Sequence, residues 1–279
     1  TNTNDSGDGS LRKAIEDANA TTDTDTIVFD AGATGSIVLT SGQLAITESV
    51  SIEGPGASVL TVDGDDSSQV FYVYNSSTLI SVSLSGLTIT GGDSSYAGGI
   101  ISWGETLDLE SLVITGNVGD NAGGVQFYGA YKEPAQATLT IRNSTISGNE
   151  GRNWSGGVYL YGAGQEGSIG VLIENSTISG NTAASGHGGG LYFDAAEGDI
   201  IIRNSTISGN STAGHGGGVY VTDGCTGELH IENSTITDNE AGSGGGVYVI
   251  DASVTEVFIE NSIIAGNTAT NVTLLDQLP

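Results

Sequence analysis

The chain has few basic residues and almost no cysteine or proline. Six Lys and Arg stand against 33 Asp and Glu, a formal net charge of −27, which argues against nucleic-acid or anionic-membrane partners and favours cations or a hydrated extracellular surface. The single cysteine, Cys225, excludes an internal disulfide. The sequence has no apolar run long enough to predict membrane insertion. It begins with Thr rather than Met, as expected of a processed or excised segment, so a missing signal peptide does not argue against secretion.

Glycine, by contrast, is abundant, and its 45 residues lie in repeated phrases. An Asn-Ser-Thr-Ile phrase is followed each time by Gly-Gly-Val-Tyr or Gly-Gly-Leu-Tyr. It starts at Asn143, Asn175, Asn204 and Asn233, with a weaker copy at Asn261, in steps of 32, 29, 29 and 28 residues. A unit this short, built of strands and Gly/Asn turns, cannot bury its own apolar side, so successive units must stack. The repeat predicts an all-β fold, a single-stranded parallel β-helix of about nine coils.

We interpret residues 1–279 as one β-helix domain with three parts. Residues 10–20 place Leu11, Ile15 and Ala18 at helical spacing behind Ser10, which predicts a short N-terminal capping helix. Residues 141–269 hold the most regular repeats. Residues 270–279 are either a C-terminal cap or a truncated linker.

Equivalent asparagines should lie above one another in a stacked fold. We name the first set, at a bend between strands, the bend column. Asparagine tolerates left-handed backbone and its amide can hydrogen-bond along a stack, which predicts a structural ladder with inward, unreachable amides. Its members are Asn143, Asn175, Asn204, Asn233 and Asn261. A second column follows the same logic at Asn149, Asn181, Asn210, Asn239 and Asn267. Four glycosylation motifs fall in the bend column, and modification is left open at Asn75, Asn153 and Asn271.

Aromatic residues recur one coil apart. If Val158 and Leu191 face the core, alternation turns Tyr159 and Tyr192 outward. Exposed rings in a row either cover neighbouring strands or form a platform for the apolar face of a sugar. The candidate glycan-binding residues are Trp103, Tyr128, Tyr159, Tyr161, Tyr192, Tyr220 and Tyr248.

Two groups of residues are candidate metal ligands. His187 and His215 occupy equivalent positions one coil apart, although turn filling is the simpler interpretation. Asp63, Asp65 and Asp66 form an acidic turn that could take Ca²⁺, without an EF-hand pattern. The sequence requires no cofactor, and Ca²⁺ is the candidate cofactor that we consider.

Two further columns concern the surface. The residue before each bend Asn alternates in charge as Arg142, Glu174 and Arg203, then ends in the like-charged pair Glu232 and Glu260. Paired Thr and Ser residues, exemplified by Thr145 with Ser147, line another strand. This hydroxyl face is either ordinary β-sheet surface or an ice-binding plane.

Several segments resemble known families. The Asp-Ser-Gly-Asp-Gly-Ser-Leu-Arg-Lys-Ala-Ile-Glu-Asp-Ala-Asn run at residues 5–19 resembles the CSLREA-type start of secreted prokaryotic β-helix proteins, with Gly9 where that motif has Cys. The Asn-Ser-Thr-Ile-Ser-Gly-Asn and Gly-Gly-Gly-Val-Tyr copies resemble pectin-lyase-like repeats and, distantly, polymorphic outer membrane protein repeats. The resemblance implies a right-handed helix and a secreted or cell-surface location.

These observations favour a non-catalytic extracellular module that is structural or adhesive. It would bind a polysaccharide or cell-surface glycan through its rings, or assemble end to end into a fibre. The alternatives are a polysaccharide lyase or glycoside hydrolase and an ice-binding protein. Because a lyase needs a base beside clustered carboxylates or Ca²⁺, and a hydrolase needs two facing carboxylates, we predict no catalytic residue.

Overall fold

Four parallel sheets wind around one apolar core. The structure is a computed structural model, and it describes residues 2–131, 137–250 and 256–270. Each coil contributes one strand to sheet A, then to sheet B, then in most coils to the short sheet D, and then to sheet C. Sheets A and B contain nine strands each in this part of the chain. The predicted parallel β-helix is confirmed.

The strands of each sheet follow in the order of the coils. Sheet A contains Asp25–Val28, Val50–Glu53, Ser81–Ser85, Thr106–Glu110, Leu139–Arg142, Ile169–Glu174, Asp199–Arg203, Leu229–Glu232 and Val257–Glu260. Sheet B contains Gly35–Val38, Leu60–Asp63, Thr88–Thr90, Val113–Thr115, Thr145–Ser147, Thr177–Ser179, Thr206–Ser208, Thr235–Thr237 and Ile263–Ala265. Sheet C contains Leu44–Ile46, Phe71–Val73, Ile100–Trp103, Val125–Tyr128, Val158–Ala163, Leu191–Ala196, Val219–Val221 and Val247–Val249. Sheet D contains Asp93–Ser94, Val118–Gly119, Glu150–Gly151, Thr182–Ala183, Ser211–Thr212, Glu240–Ala241 and Thr268–Ala269.

Register is set by the repeat. Ile146 pairs with Ile178, which pairs with Ile207 and then Ile236. All four side chains are fully buried. Since alternate residues of a strand point to opposite faces, the flanking Thr and Ser side chains lie on the outer face of sheet B. Stacking therefore turns every inward column of the sequence into a continuous apolar seam.

The two asparagine columns play different roles. Every member of the bend column has a left-handed backbone, with φ between 49° and 51°, as predicted. Its side chains are exposed rather than inward, however, so the expected stacking of these amides is wrong. In the second column, by contrast, the side-chain amides stack and hydrogen-bond to one another. Asn117 extends this column by one coil, and we call the six residues the amide ladder: Asn117, Asn149, Asn181, Asn210, Asn239 and Asn267.

The predicted capping helix spans Leu11–Ala18. Ser10 caps its N-terminus by accepting a hydrogen bond from the Lys13 N–H. Leu11, Ile15 and Ala18 are buried in the same core as the strands. The helix therefore covers the N-terminal end of the apolar seam, and it is too short and too polar to cross a membrane, as are the other described helical segments.

Candidate functional site

The most distinctive surface lies on the outer face of sheet C. Tyr159, Tyr192, Tyr220 and Tyr248 pair in register there, and we call them the tyrosine column. Their rings point away from the main core, as predicted. Tyr159, Tyr192 and Tyr220 are nevertheless 5, 4 and 5 % exposed. These three rings therefore cannot be the sugar platform expected from the sequence, and Tyr248 is half-buried.

The loop before each strand of sheet C folds back over the tyrosine column. Gly188 has a φ of 60°, and a Cβ there would lie 2.7 Å from the Cβ of Tyr192. Gly216 meets Tyr220 in the same way at 2.7 Å. In the preceding coil, where Ser155 takes the place of Gly188, Trp154 stacks on Tyr159 with ring centroids 6.0 Å apart. Because strand alternation does not encode a loop that doubles back, the sequence alone missed the burial.

Toward the N-terminal coils the same face opens to solvent. We call this exposed part the aromatic cluster: Tyr96, Trp103, Tyr128, Trp154 and Tyr161. Tyr96, Trp154 and Tyr161 are 43, 42 and 39 % exposed, and Trp103 and Tyr128 are half-buried. Exposed aromatic patches of this kind often mark interaction sites.

Ring contacts join four members of the aromatic cluster, while Trp154 packs on the buried Tyr159. Trp103 stacks on Tyr128 with centroids 4.5 Å apart and an interplanar angle of 11°. Tyr96 meets Trp103 edge-on at 5.3 Å, and Tyr161 lies 5.6 Å from Tyr128. Tyr128 continues to Tyr159, 5.9 Å away, and so to the buried column. Rings supported on several sides are fixed in place before a ligand arrives.

Gln126 lies beneath these rings. It pairs in register with Tyr159, so it interrupts the tyrosine column. Its side chain is fully buried, and neither amide atom has a hydrogen-bond partner among the described residues. An unpaired buried amide costs about 1–3 kcal/mol. Because both amide atoms are enclosed by the protein, they do not reach a ligand, and the exposed rings are the surface that suits the apolar face of a sugar.

The repeat is irregular at this point. After Tyr128 the chain forms a 3₁₀ turn, Gly129–Tyr131. A Cβ on Gly162 would lie 2.3 Å from that of Ala130, so the turn packs directly against the next coil. Loops that break a regular scaffold commonly carry function.

Three tyrosines of this face, Tyr128, Tyr159 and Tyr192, have a raised pKa. Burial raises the pKa of Tyr128, and burial with the nearby Tyr128 and Asp194 raises the pKa of Tyr159 well above its usual range. Burial likewise raises the pKa of Tyr192. The face therefore offers neutral rings and hydroxyls rather than charge.

The candidate metal ligands do not converge as a three-ligand group in the part of the chain that the structure describes. His187 and His215 stack at 4.9 Å with an interplanar angle of 9°, so their nitrogen lone pairs do not converge on one ion. His187 Nδ1 already accepts the backbone N–H of His215 at 2.9 Å. In the acidic turn, Asp63 Oδ1 accepts the N–H of Asp65. The carboxylates of Asp63, Asp65 and Asp66 do not come together as a three-ligand group.

The predicted glycosylation sites differ in access. Asn75 Nδ2 donates to the Thr47 carbonyl at 2.7 Å, so this amide is engaged in a turn. Asn153 is exposed. Asn271 lies outside the described residues. Because the bend column is exposed, the motif at Asn143, for example, is accessible after all.

The arginines lie in ion pairs rather than in an open site. We call the residues of alternating charge that precede the bend column the charge column. It forms as predicted, since Arg203 Nε lies 2.7 Å from Glu174 Oε1 and Arg142 lies 3.4 Å from Glu174. Arg152 contacts Asp93 at 2.9 Å and Asp120 at 3.0 Å. Each of these cations is therefore already neutralised by a carboxylate.

One group of chemically active side chains was missed. Asp199, Glu228 and His230 place ligand atoms within 4.8 Å of one another. The sequence indicates this group only through a Glu-x-His pair that follows an Asp by one coil. Recognising that these residues are neighbours requires the register of sheet A.

The fold and its aromatic face define a β-solenoid that presents stacked rings on one side. Residues 68–277 match the family described as the right handed beta helix region. The chain therefore belongs to the right-handed β-helix family, and the expected handedness is confirmed. No curated protein and no solved structure matches the chain.

Proposed function

We propose that this protein is a non-catalytic β-helix module that binds polysaccharide at an extracellular or cell surface through the aromatic cluster. The observation that carries the proposal is the set of partly exposed rings that pack against Tyr128 and Tyr159 on the outer face of sheet C. Such ring faces suit the apolar face of a pyranose. The acidic surface favours neutral over anionic glycans, because a net charge of −27 repels polyanions.

Affinity chromatography on immobilised neutral and anionic polysaccharides tests this proposal. We expect retention of the wild type on a neutral glycan and loss of retention in the double variant Trp154→Ala and Tyr161→Ala. Leu79→Ala is the control, since Leu79 is equally exposed but lies outside the aromatic cluster. Retention that is the same in all three proteins would reject the site, and release of shortened or unsaturated sugars would support a hydrolase or lyase instead.

Ice binding is a second candidate, favoured by the hydroxyl face of sheet B. Thr145, Thr177, Thr206 and Thr235 lie in register, beside the column of Ser147, Ser179, Ser208 and Thr237. A regular array of hydroxyl and methyl groups is the feature that this function would use. Thermal hysteresis of the purified protein tests it, and a freezing point equal to the melting point would exclude it.

End-to-end assembly into a fibre stays a prediction. Electron microscopy over a range of concentrations tests it. Filaments that lengthen with concentration would support the assembly, and discrete rods at every concentration would exclude it.

A further inference from the structure

A second potential site lies on sheet A, away from the aromatic cluster. Glu228 immediately precedes the strand Leu229–Glu232, and His230 lies within it. Leu229 and Ile231 are buried, so Glu228 and His230 both point outward from the same side of the strand. Asp199 begins the neighbouring strand one coil earlier. The fold thus brings a carboxylate from one coil to a carboxylate and an imidazole of the next.

The three side chains are held in position by their surroundings. Asp199 Oδ1 accepts the backbone N–H of Glu228 at 3.0 Å. The His230 ring stacks on Phe258, with centroids 4.7 Å apart and an angle of 16°. Its Nε2 lies 2.9 Å from Glu228 Oε2. Fixed ligand orientation of this kind is what a metal site requires beyond the ligands themselves.

The local charge is strongly negative. Besides Asp199 and Glu228, Glu232 lies 3.9 Å from His230 Nδ1. The arginines that the structure describes are paired elsewhere, with Asp5, Asp108, Glu174, Asp93 and Asp120. Arg203 lies in register beside Glu232 and Lys13 pairs with Asp17, so Asp199 and Glu228 have no ion pair with a described arginine or lysine. A bound cation would neutralise them.

An irregularity of the sheet lies beside the arrangement. The register between neighbouring strands shifts between Ile169 and Val171, where Ile169 pairs with Asp199. A Cβ on Gly198 would lie 2.6 Å from the Gly170 backbone nitrogen, so the chains approach closely there. Bulges of this kind re-aim a side chain and are frequent next to functional sites.

We infer that Asp199, Glu228 and His230 bind one divalent transition-metal ion, such as Zn²⁺, across two adjacent coils. An imidazole with two carboxylates suits Zn²⁺ better than Ca²⁺, which takes six to eight oxygen ligands. His230 Nε2 and Glu228 Oε2 are 2.9 Å apart, at hydrogen-bond distance. Two ligand atoms of a tetrahedral ion with bonds of about 2.0–2.1 Å lie about 3.3–3.4 Å apart, so a bound ion would replace this hydrogen bond with only a small separation of the two atoms. Three protein ligands leave a coordination position for water or a further ligand.

Calorimetric titration with Zn²⁺, in a large excess of Mg²⁺ to occupy the acidic surface, tests the site. We expect saturable binding of one ion by the wild type. Asp199→Asn and His230→Gln should each weaken it at least about tenfold, since even the loss of an outer-shell partner costs about 10- to 100-fold. Glu240→Gln is the control, because Glu240 is exposed on sheet D and the substitution removes the same charge.

Two further measurements separate lost binding from lost folding. Circular dichroism and thermal melting without metal should show that the variants fold, and Zn²⁺ should raise the melting temperature of the wild type but not of His230→Gln. Glu228→Gln offers a nearly isosteric third variant if another variant fails to fold. No saturable binding by the wild type, or equal binding by the ligand variants and Glu240→Gln, would overturn the assignment and leave a simple His–Glu ion pair.

Discussion

The side-chain Nδ2 of Asn181 donates to Asn210 Oδ1 at 3.0 Å, and the Asn181 backbone N–H donates to the same oxygen at 3.0 Å. Asn210 repeats both bonds with Asn239 in the next coil. The glycines of sheet C make room for this amide ladder, since a Cβ on Gly190 would lie 3.0 Å from Asn210 Nδ2. The Gly-Gly phrase and the amide ladder are therefore structurally linked, because the missing glycine side chains leave the space that the asparagine amides occupy.

The amide ladder predicts a large effect of a small substitution. Asn210→Ala leaves the Asn181 backbone N–H, the Asn181 side-chain amide and the Ile178 carbonyl without their present partner. Each unsatisfied buried group costs about 1–3 kcal/mol, so the free energy of unfolding should fall by about 3 kcal/mol or more. Urea denaturation measures it.

Asn204→Gly is the matched control, because Asn204 is exposed and its φ of 51° suits glycine. Its effect should stay within about 0.5 kcal/mol. Equal effects of the two substitutions would contradict the assigned roles of the columns.

Substituting a buried tyrosine should mainly lower stability, and substituting an exposed one should mainly lower polysaccharide binding. Tyr192→Ala removes a ring that is 4 % exposed, and the free energy of unfolding should fall by about 3–5 kcal/mol. Tyr161→Ala removes a ring of the aromatic cluster and should lower polysaccharide retention with a smaller loss of stability. Denaturation and chromatography of both variants measure the two effects. A folded Tyr192→Ala protein that loses retention while Tyr161→Ala keeps it would reverse the assignment.

Acid should weaken the N-terminal cap through Asp5. Burial alone would raise the pKa of this carboxyl, but hydrogen bonds from Ser41, Arg12 and Thr40 lower it to about 2. Because the pKa of an unfolded aspartate is about 3.9, the stabilisation is fully present above that pH and is lost as the pH falls towards 2.

Asp5→Asn should therefore lower the free energy of unfolding by about 1–3 kcal/mol at neutral pH. The difference from wild type should shrink between about pH 4 and pH 2. Denaturation across this pH range measures it. Asp23→Asn, at an exposed position, should cost little at any pH. A constant difference for Asp5→Asn would rule out the charge as its cause.

A substitution at the like-charged end of the charge column should stabilise the fold. Glu232 pairs in register with Glu260, which places two like charges side by side. Glu260→Arg restores the alternation and should raise the free energy of unfolding by up to about 1 kcal/mol at low salt, with less gain at high salt. Glu240→Arg, whose neighbours are Ser211 and Thr268, serves as the control. A gain that salt leaves unchanged would point to packing rather than charge.

The sequence predicted features that depend on the period. The strands, the capping helix, the left-handed bends and the alternation of Arg142 and Glu174 all follow from stacking equal residues. It predicted the direction of the Tyr192 ring but not its burial, which depends on a loop that turns back at Gly188.

Features that depend on departures from the period could not be predicted. The grouping of Asp199 with His230 follows from the regular pairing of their strands, but the imidazole does not recur, since the equivalent positions hold Ile201 and Phe258. The buried amide of Gln126 likewise arises where the column deviates from tyrosine. A perfect repeat would thus be easy to predict, and its irregular positions are where both candidate sites lie.

The matching bends at Asn204 and Asn233, with φ of 51° and 49°, make the intervening 29 residues an exchangeable segment. Excision of residues 204–232 would join Arg203 to Asn233 and leave Arg203 between Glu174 and Glu260. The rod would shorten by one strand spacing, about 4.8 Å, with its cross-section unchanged. Duplication or loss of such a segment in a gene would therefore alter the reach of the molecule in whole steps while its flat faces stay continuous.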